Sequence, residues 1–509
     1  MYTGELITAD FVFPPYSHQI TELETYGMDE ARALLWQMRT GKTKTIIDQT
    51  GMISANRNLD AVIIMAPNGV HENWITRELP KHHWPSIPYE GFAWRTSLAS
   101  KNAGNQLPKG AKEEWQERHE AFWKHAEALL KADKLCWFAF PSEVVTRDDC
   151  RKLIARIMRR KKKVMLVVDE SGDYGAPGSK KTHMVRALAK RCAYRRILDG
   201  TIVENSPLRA FSQYELLKPE ALGFKKFGAF KERFAKYELK KTRGGRQFPE
   251  LVGYQNLDQL KERMAKWSSV VLREDCVDLP DLVPIRRDIE LTESQKQAYN
   301  DLLHSFKTEL DGEEVSVGEM APRLIKLQQI CSGYLVDEWG EHHIIGNKNP
   351  RLEALLDEVE RTGPGRNIIW CAFRPDMDRV SEALRARGRN IIEYHGRTSD
   401  DEKALAREAF APGSTSEVQD LVGHPKSGGR GNDFSGADKI IWYSHTFDTV
   451  VRSQADERAT AIGGQNIPVV DFVAPGVDEY ILETQAKKMD VAEDLARKGL
   501  KEVIRELEL

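Results

Sequence analysis

The chain has 509 residues, 41% of them apolar and 30% charged, which at about 150 residues per domain allows roughly three folding units and excludes both one small domain and wholesale disorder. Its 75 basic and 77 acidic side chains leave a formal charge of −2, so a polyanion would have to meet a local patch and not a whole-molecule field. Six cysteines (Cys136, Cys150, Cys192, Cys276, Cys331 and Cys371) form no C-x-x-C pair, which argues against a zinc site or disulfide framework and fits a reducing compartment. The longest apolar runs are about a third of a membrane span. The N-terminal residues lack the basic start, apolar stretch and cleavage site of a secretory signal, so a cytoplasmic location is expected.

In chain order, Pro15-Tyr16-Ser17-His18-Gln19 comes first, and an amide there could read an adenine edge with paired donor and acceptor. Met38-Arg39-Thr40-Gly41-Lys42-Thr43 follows, ending a glycine loop from which an amphipathic run continues. Backbone N–H groups at such a helix start cradle phosphate, a lysine ammonium sits against the β and γ phosphates, and a threonine hydroxyl ligates magnesium. The full G-x-x-x-x-G-K-[ST] pattern wants glycine where Trp36 stands, so this loop alone also fits a chance G-K-T.

Strand-like runs come next at Ala61 to Met65, Val164 to Val168 and Arg195 to Leu198. The second leads into Asp169-Glu170-Ser171, where an acidic pair at a strand end would hold magnesium and polarise an attacking water; a strand merely ending in a turn is the other reading. The run Arg159-Arg160-Lys161-Lys162-Lys163 before that strand reads as a solvated face.

From about Phe224 to Asn349 the pattern turns helical and charged. Residues 225–246 hold nine Lys or Arg against two Glu. Phe227, Phe230, Phe234 and Tyr237 recur at spacings of three and four, predicting one packed helical stripe beside a basic surface. Lys225, Lys226, Lys240, Lys241 and Arg243 are the expected phosphate contacts, with binding that falls as salt rises. Val283 to Leu291 is strand-like, but Pro280, Pro284 and the polar stretch Asp311 to Glu319 read as loop and linker.

A second strand cluster follows at Asn367 to Trp370, Asn390 to Tyr394, Lys439 to Tyr443 and Val469 to Phe472. Short apolar strands alternating with amphipathic segments predict an α/β fold whose parallel sheets are covered on both faces. No fixed-period repeat or base-reading module is visible.

The order of these motifs resembles superfamily 2 nucleic-acid motors, specifically Snf-type translocases in the compact form often encoded by bacteriophages. The resemblance runs from Pro15 to about Gln485, through Gln19, Gly41-Lys42-Thr43, Ala66-Pro67-Asn68 with Asn73-Trp74, Asp169-Glu170-Ser171, and Leu198 to Pro207. In the second half it includes Trp370 to Arg374, Tyr394-His395-Gly396, Gly428 to Phe434 and Gln454-Ala455-Asp456-Glu457-Arg458.

It implies two RecA-like lobes, with ATP and Mg2+ between them and DNA across both. The expected organisation is lobe one over 1–280 with a helical basic insertion at about 220–270, a linker and helical segment over 281–348, lobe two over 349–485, and a C-terminal helix over 486–509. It further implies that Lys42, Thr43, Asp169 and Glu170 act in hydrolysis, with Thr43 and Asp169 on the metal, and that Gln454 and Arg458 complete the site from lobe two. Gln19, Thr40, Gly41 and Asp433 would contact the nucleotide. Asn68, Trp74, Arg374, Gly396 and Arg430 would join the lysines on the DNA. The resemblance favours DNA over RNA and movement along duplex over strand separation, in replication, recombination or repair. Arg39, Asp199, Ile202 and Ala461 depart from the family pattern, which leaves a weakened motor serving as an ATP-switched nucleic-acid-binding adaptor as the alternative. An unrelated P-loop kinase would have no use for the second strand cluster or the Gln454 to Arg458 motif.

Overall fold

The apolar runs form two parallel sheets in a computed structural model that describes residues 10–105, 109–200, 207–241, 247–272, 276, 281–309, 317–337, 339–428, 433–460 and 464–486. The chain divides into two units, Met1–Val277 and Asp278–Leu509. The first contains β1 (Ala31–Trp36), β2 (Ala61–Ala66), β3 (Tyr89–Ala93), β4 (Leu135–Pro141), β5 (Val164–Val168), β6 (Tyr194–Asp199), the hairpin β7 (Ala235–Lys241) and β8 (Gln247–Tyr254), and β9 (Ser268–Val271). The second contains β10 (Leu282–Asp288), the hairpin β11 (Tyr334–Val336) and β12 (His342–Ile344), β13 (Asn367–Trp370), β14 (Ile391–Tyr394), β15 (Asp420–Gly423), β16 (Lys439–Trp442) and β17 (Ile467–Val473).

In unit one the strand order is β3-β4-β2-β5-β6-β1-β9, with every pairing parallel. Alternate residues of a strand point to opposite faces, and both faces here are dry. Ile63, Met65, Leu166 and Val168 enter one core cluster, whereas Val62, Ile64, Met165 and Val167 enter another. This is why these strands read as unbroken apolar runs. Unit two repeats the plan with the order β10-β17-β16-β13-β15-β14, again all parallel. Ile368 and Trp370 face one cluster and Ile369 the other. The expected two RecA-like lobes, parallel sheets flanked by helices, are present.

Three expectations need correction. The basic insertion is not helical throughout: its helix Phe227–Phe234 stops at Phe234, and Tyr237 lies on β7 of an antiparallel hairpin. Phe230 and Phe234 are fully buried, as a packed stripe requires, but Tyr237 only shared their spacing. The segment expected as a linker supplies β10, which pairs with β17 from Leu282↔Ile467 to Asp288↔Val473, so it extends the second sheet. Lys161 is buried with its ammonium on the Ala132 carbonyl at 2.7 Å; the rest of its basic run is exposed.

The last helix among the described residues is Val477–Ala486. Tyr480 and Ile481 pack into a core with Leu324 and Leu327, and Asp478 pairs with Arg351 where both are fully buried. Residues 487–509 lie outside the described residues.

Candidate nucleotide and nucleic-acid sites

β1 ends at Trp36, the chain turns, and the helix Lys42–Arg57 begins. Gly41 at its start has φ +83°, and a Cβ there would lie 2.1 Å from the Gln19 amide nitrogen. Only glycine permits both the left-handed backbone and the close approach. The Gly41 carbonyl accepts from Gln19 Nε2 at 3.1 Å, from Thr45 Oγ1 at 3.1 Å and from Thr45 N at 3.0 Å. Arg39 also has positive φ, +64°. An arginine held left-handed costs about 1 kcal/mol that glycine would avoid, which is a physical reason for a small residue at that position.

The loop is braced from several sides. Lys42 Nζ donates to the carbonyls of Trp36 at 2.5 Å and Gln37 at 3.1 Å. His18 Nε2 lies 2.8 Å from the Thr40 carbonyl, and the Trp36 indole donates to Ser269 Oγ on β9 at 2.8 Å. Two expectations change here. Gln19 is fully buried, donates to Gly41 and accepts from Tyr16 N at 2.8 Å; its amide is committed to holding the loop and does not present a free edge to adenine. Thr40 is equally buried, and its hydroxyl donates to the Gln37 carbonyl at 2.7 Å, so it too is a brace. Thr43, one residue into the helix, is half-buried.

Asp169 and Glu170 follow β5, and the Asp169 amide donates to Met65 at the end of neighbouring β2. Burial pushes the Asp169 carboxyl up; the Trp74 N–H, the Lys42 charge and the Glu170 amide pull it back. Trp74 Nε1 donates to Asp169 Oδ2 at 3.0 Å, and Trp74 is 1% exposed. Its expected contact with DNA does not fit this burial, since a buried indole has no face for a base; the indole orients the Asp169 carboxylate instead. Glu170 adopts φ +53°, ψ +58° and is half-buried, a turn that leaves the strand direction immediately after Asp169. Asn68 is exposed in the loop after β2, beside Gly69 at φ +84°.

Asp199, at the end of β6, joins this cluster. Its Oδ2 accepts from Ser171 Oγ at 3.1 Å, Gly172 N at 2.7 Å and Gln213 Nε2 at 3.2 Å. The carboxylate thus ties the strand end after β6 to the turn carrying Glu170. Gln213 carries no sequence signal for this, being one polar residue in a mostly buried helix. Ile202 and the rest of 201–206 lie outside the described residues.

In the basic insertion, Lys225 and Lys226 are exposed just ahead of the helix Phe227–Phe234. The backbone of Lys240 and Lys241 lies in β7; Arg243 lies outside the described residues. The chain brings the first pair to the surface just ahead of a helix anchored by Phe230 and Phe234.

In unit two, Arg374 begins the helix Arg374–Ala386 and is exposed, 3.5 Å from Asp378. It lines a cleft of about 230 Å3 with Met377, His395, Gly396, Arg397 and His424, so Arg374 and Gly396 do come together on one surface. Gln454 is half-buried on the helix Thr449–Asp456, and Arg458 is 8% exposed on the following turn. The Arg458 carbonyl accepts from Phe434 N at 3.0 Å, bringing Asp433, whose carboxylate accepts from Ser435 N at 3.2 Å, to the same loop cluster. Arg452 is fully engaged: it bonds Asp456 at 2.8 Å and Asp471 at 2.8 Å, and lies 4.2 Å over the Trp442 ring. Arg430 and Ala461 lie outside the described residues.

Among known proteins the chain is 25% identical over 353 residues to the mouse SWI/SNF-related matrix-associated actin-dependent regulator of chromatin subfamily A member 1, covering 66% of this chain and 32% of that protein. It is 24% identical over 297 residues to an uncharacterized ATP-dependent helicase of Mycoplasma pneumoniae, covering 58% of this chain and 27% of that one. The chain spans about a third or less of the length of these curated relatives. No protein-family model matches it. Against the solved Sulfolobus solfataricus SWI2/SNF2 ATPase core in complex with dsDNA, identity is 18% with 99% of each chain covered and a TM-score of 0.39.

Trp74→Phe keeps an aromatic side chain, though a smaller one, and removes the donor to Asp169, a loss of about 1–3 kcal/mol to that carboxylate's environment. The expected outcome is a raised magnesium requirement for ATP turnover with unchanged DNA affinity, read by titrating metal at saturating ATP. Weakened DNA binding at unchanged metal requirement would restore Trp74 to the DNA surface.

Proposed function

We propose that this chain is an ATP-dependent DNA translocase of the SNF2 type, hydrolysing ATP to move along or remodel DNA. The observation that carries this reading is the joining of Gly41-Lys42-Thr43 and the strand-end pair Asp169-Glu170 at the carboxyl ends of one sheet, linked electrostatically through Lys42 and Asp169. A left-handed glycine turn opening a helix, an ammonium at that helix start and a buried carboxylate are the donor set suited to a triphosphate with a divalent cation. Mg2+ bound by Thr43 and Asp169 would neutralise phosphate charge. Lys42 exchanges its two carbonyl partners for phosphate oxygens, and Glu170 orients the attacking water and takes its proton. Arg458, in one loop cluster with Gln454 and Asp433, is the arginine assigned to stabilise charge on the transferring phosphoryl group.

Duplex DNA is the proposed track, held by backbone contacts from Lys225, Lys226, Lys240, Lys241, Arg243 and Asn68 in unit one and from Arg374, Gly396 and Arg430 in unit two. The relative's printed description as a regulator of chromatin supports a role on DNA. A bacterial or phage-infected cytoplasm and a task in replication, recombination or repair complete the proposal. The adaptor alternative is carried by Arg39, whose left-handed backbone is, among the described residues, the family departure with a visible cost.

Triplex displacement separates movement from strand separation. ATP-dependent release of a third strand from a long duplex, with little unwinding of a fork, is the expected outcome. Fork unwinding without third-strand release would make the chain a strand-separating helicase, and neither activity despite DNA and ATP binding would favour the adaptor.

A further inference from the structure

Trp36 stands where the phosphate-loop pattern has glycine, and the structure gives it work. Its carbonyl holds the Lys42 ammonium at 2.5 Å, and its buried indole donates to Ser269 Oγ at 2.8 Å. Ser269 lies on β9, paired in parallel with β1 so that Leu34 meets Ser269 and Trp36 meets Val271; Gln37 N also donates to the Val271 carbonyl at 2.9 Å. β9 is the exit strand of the basic insertion. Immediately before it, Trp267 Nε1 donates to the Ala221 carbonyl at 2.9 Å, Arg263 donates to the Leu222 carbonyl at 2.8 Å, and the Arg263 guanidinium lies 5.2 Å from the Phe224 ring centroid. Phe224 adjoins Lys225 and Lys226 in sequence. Continuous contacts therefore run from the exposed lysines to the loop that holds Lys42, all within unit one.

We infer that Trp36 is a positioning residue of the phosphate loop, and that its indole bond to Ser269 couples occupancy of the basic insertion to the placement of Lys42. The inference rests on reading Gly41-Lys42-Thr43 as the nucleotide loop and Lys225 and Lys226 as part of the DNA track. Physical contiguity alone does not establish coupling. Coupling is a change in nucleotide affinity produced by DNA, reciprocal and commonly 5- to 150-fold. Removing the hydroxyl acceptor should erase that change without touching either ligand's own contacts, because Ser269 is placed in neither.

The test measures the Kd of a fluorescent ADP analogue with Mg2+ on the full chain, with and without saturating duplex DNA. It compares wild type, Ser269→Ala and Ser269→Thr, all checked for matching thermal unfolding. In wild type and Ser269→Thr, DNA is expected to change the Kd at least about fivefold; in Ser269→Ala the ratio is expected to fall within twofold of one, with the DNA-free Kd unchanged. A wild-type ratio in Ser269→Ala overturns the inference. So does a wild-type ratio of one while nucleotide and DNA both bind, which leaves the nucleotide-site reading standing. If wild type binds no nucleotide, that underlying reading fails and takes the inference with it.

Discussion

Arg458→Ala is expected to lower the turnover number for ATP hydrolysis by about 10³- to 10⁵-fold, the worth of an arginine that stabilises charge on a transferring phosphoryl group, with nucleotide affinity unchanged. In the proposed role the guanidinium would act on charge that develops in the transition state and contribute little to the ground-state complex. Its neighbour supplies the control. Arg452 sits between Asp456 and Asp471 over the Trp442 ring, so Arg452→Ala leaves two carboxylates buried without their cation and is expected to cost about 3–5 kcal/mol of stability. The two substitutions, six residues apart, should separate cleanly: a folded enzyme that does not turn over and an enzyme that does not stay folded. Normal hydrolysis by Arg458→Ala would remove that arginine from the reaction.

Lys42→Ala is expected to abolish measurable turnover and to weaken ATP binding. Removing one donor aimed at developing oxyanion charge typically costs about 10²- to 10³-fold in rate, and here the donor also balances the charge beside Asp169. Stability should change little. The two carbonyls that lose the ammonium, on Trp36 and Gln37, lie at a loop with half-buried neighbours, so the loss is on the order of 1 kcal/mol. Thermal unfolding and ATP hydrolysis measured on the same preparation check both halves. Retained turnover would mean that the loop does not hold the reacting phosphate.

The strands at Ala61, Val164 and Val469 were legible because a parallel strand covered on both faces has no polar alternation to confuse it. β1 was not. Arg32 interrupts its apolar run and is buried all the same, with its charge met by Glu22 at 2.9 Å and its guanidinium 3.4 Å from the Tyr26 ring centroid. β10 could be read as a strand but not assigned to a sheet, because its partner β17 lies far along the chain and register is fixed by tertiary packing. Tyr237 kept the helical spacing of Phe227, Phe230 and Phe234 while belonging to a hairpin, an instance of periodicity running past a helix end.

At the site, the glycine loop and the strand-end carboxylates carried a local signal because phosphate binding needs a fixed residue order. Their supports did not. Trp74 reaches Asp169 from 95 residues away, and Ser269 reaches Trp36 from 233 residues away; such contacts are set by which strands are neighbours, and no local pattern encodes them. Trp74 had been read by its place in a motif as a nucleic-acid contact, and its burial gives it a different task.

The measurement that bears most directly on the proposed motor is steady-state ATP hydrolysis by the purified chain, alone and with duplex DNA, single-stranded DNA and RNA, with Glu170→Gln as the control for contaminating activity. Strong stimulation by duplex DNA, lost in Glu170→Gln while ATP still binds, is the expected result. Absence of turnover with every nucleic acid, despite measurable binding of both ATP and DNA, would contradict the motor and leave the ATP-switched adaptor in its place.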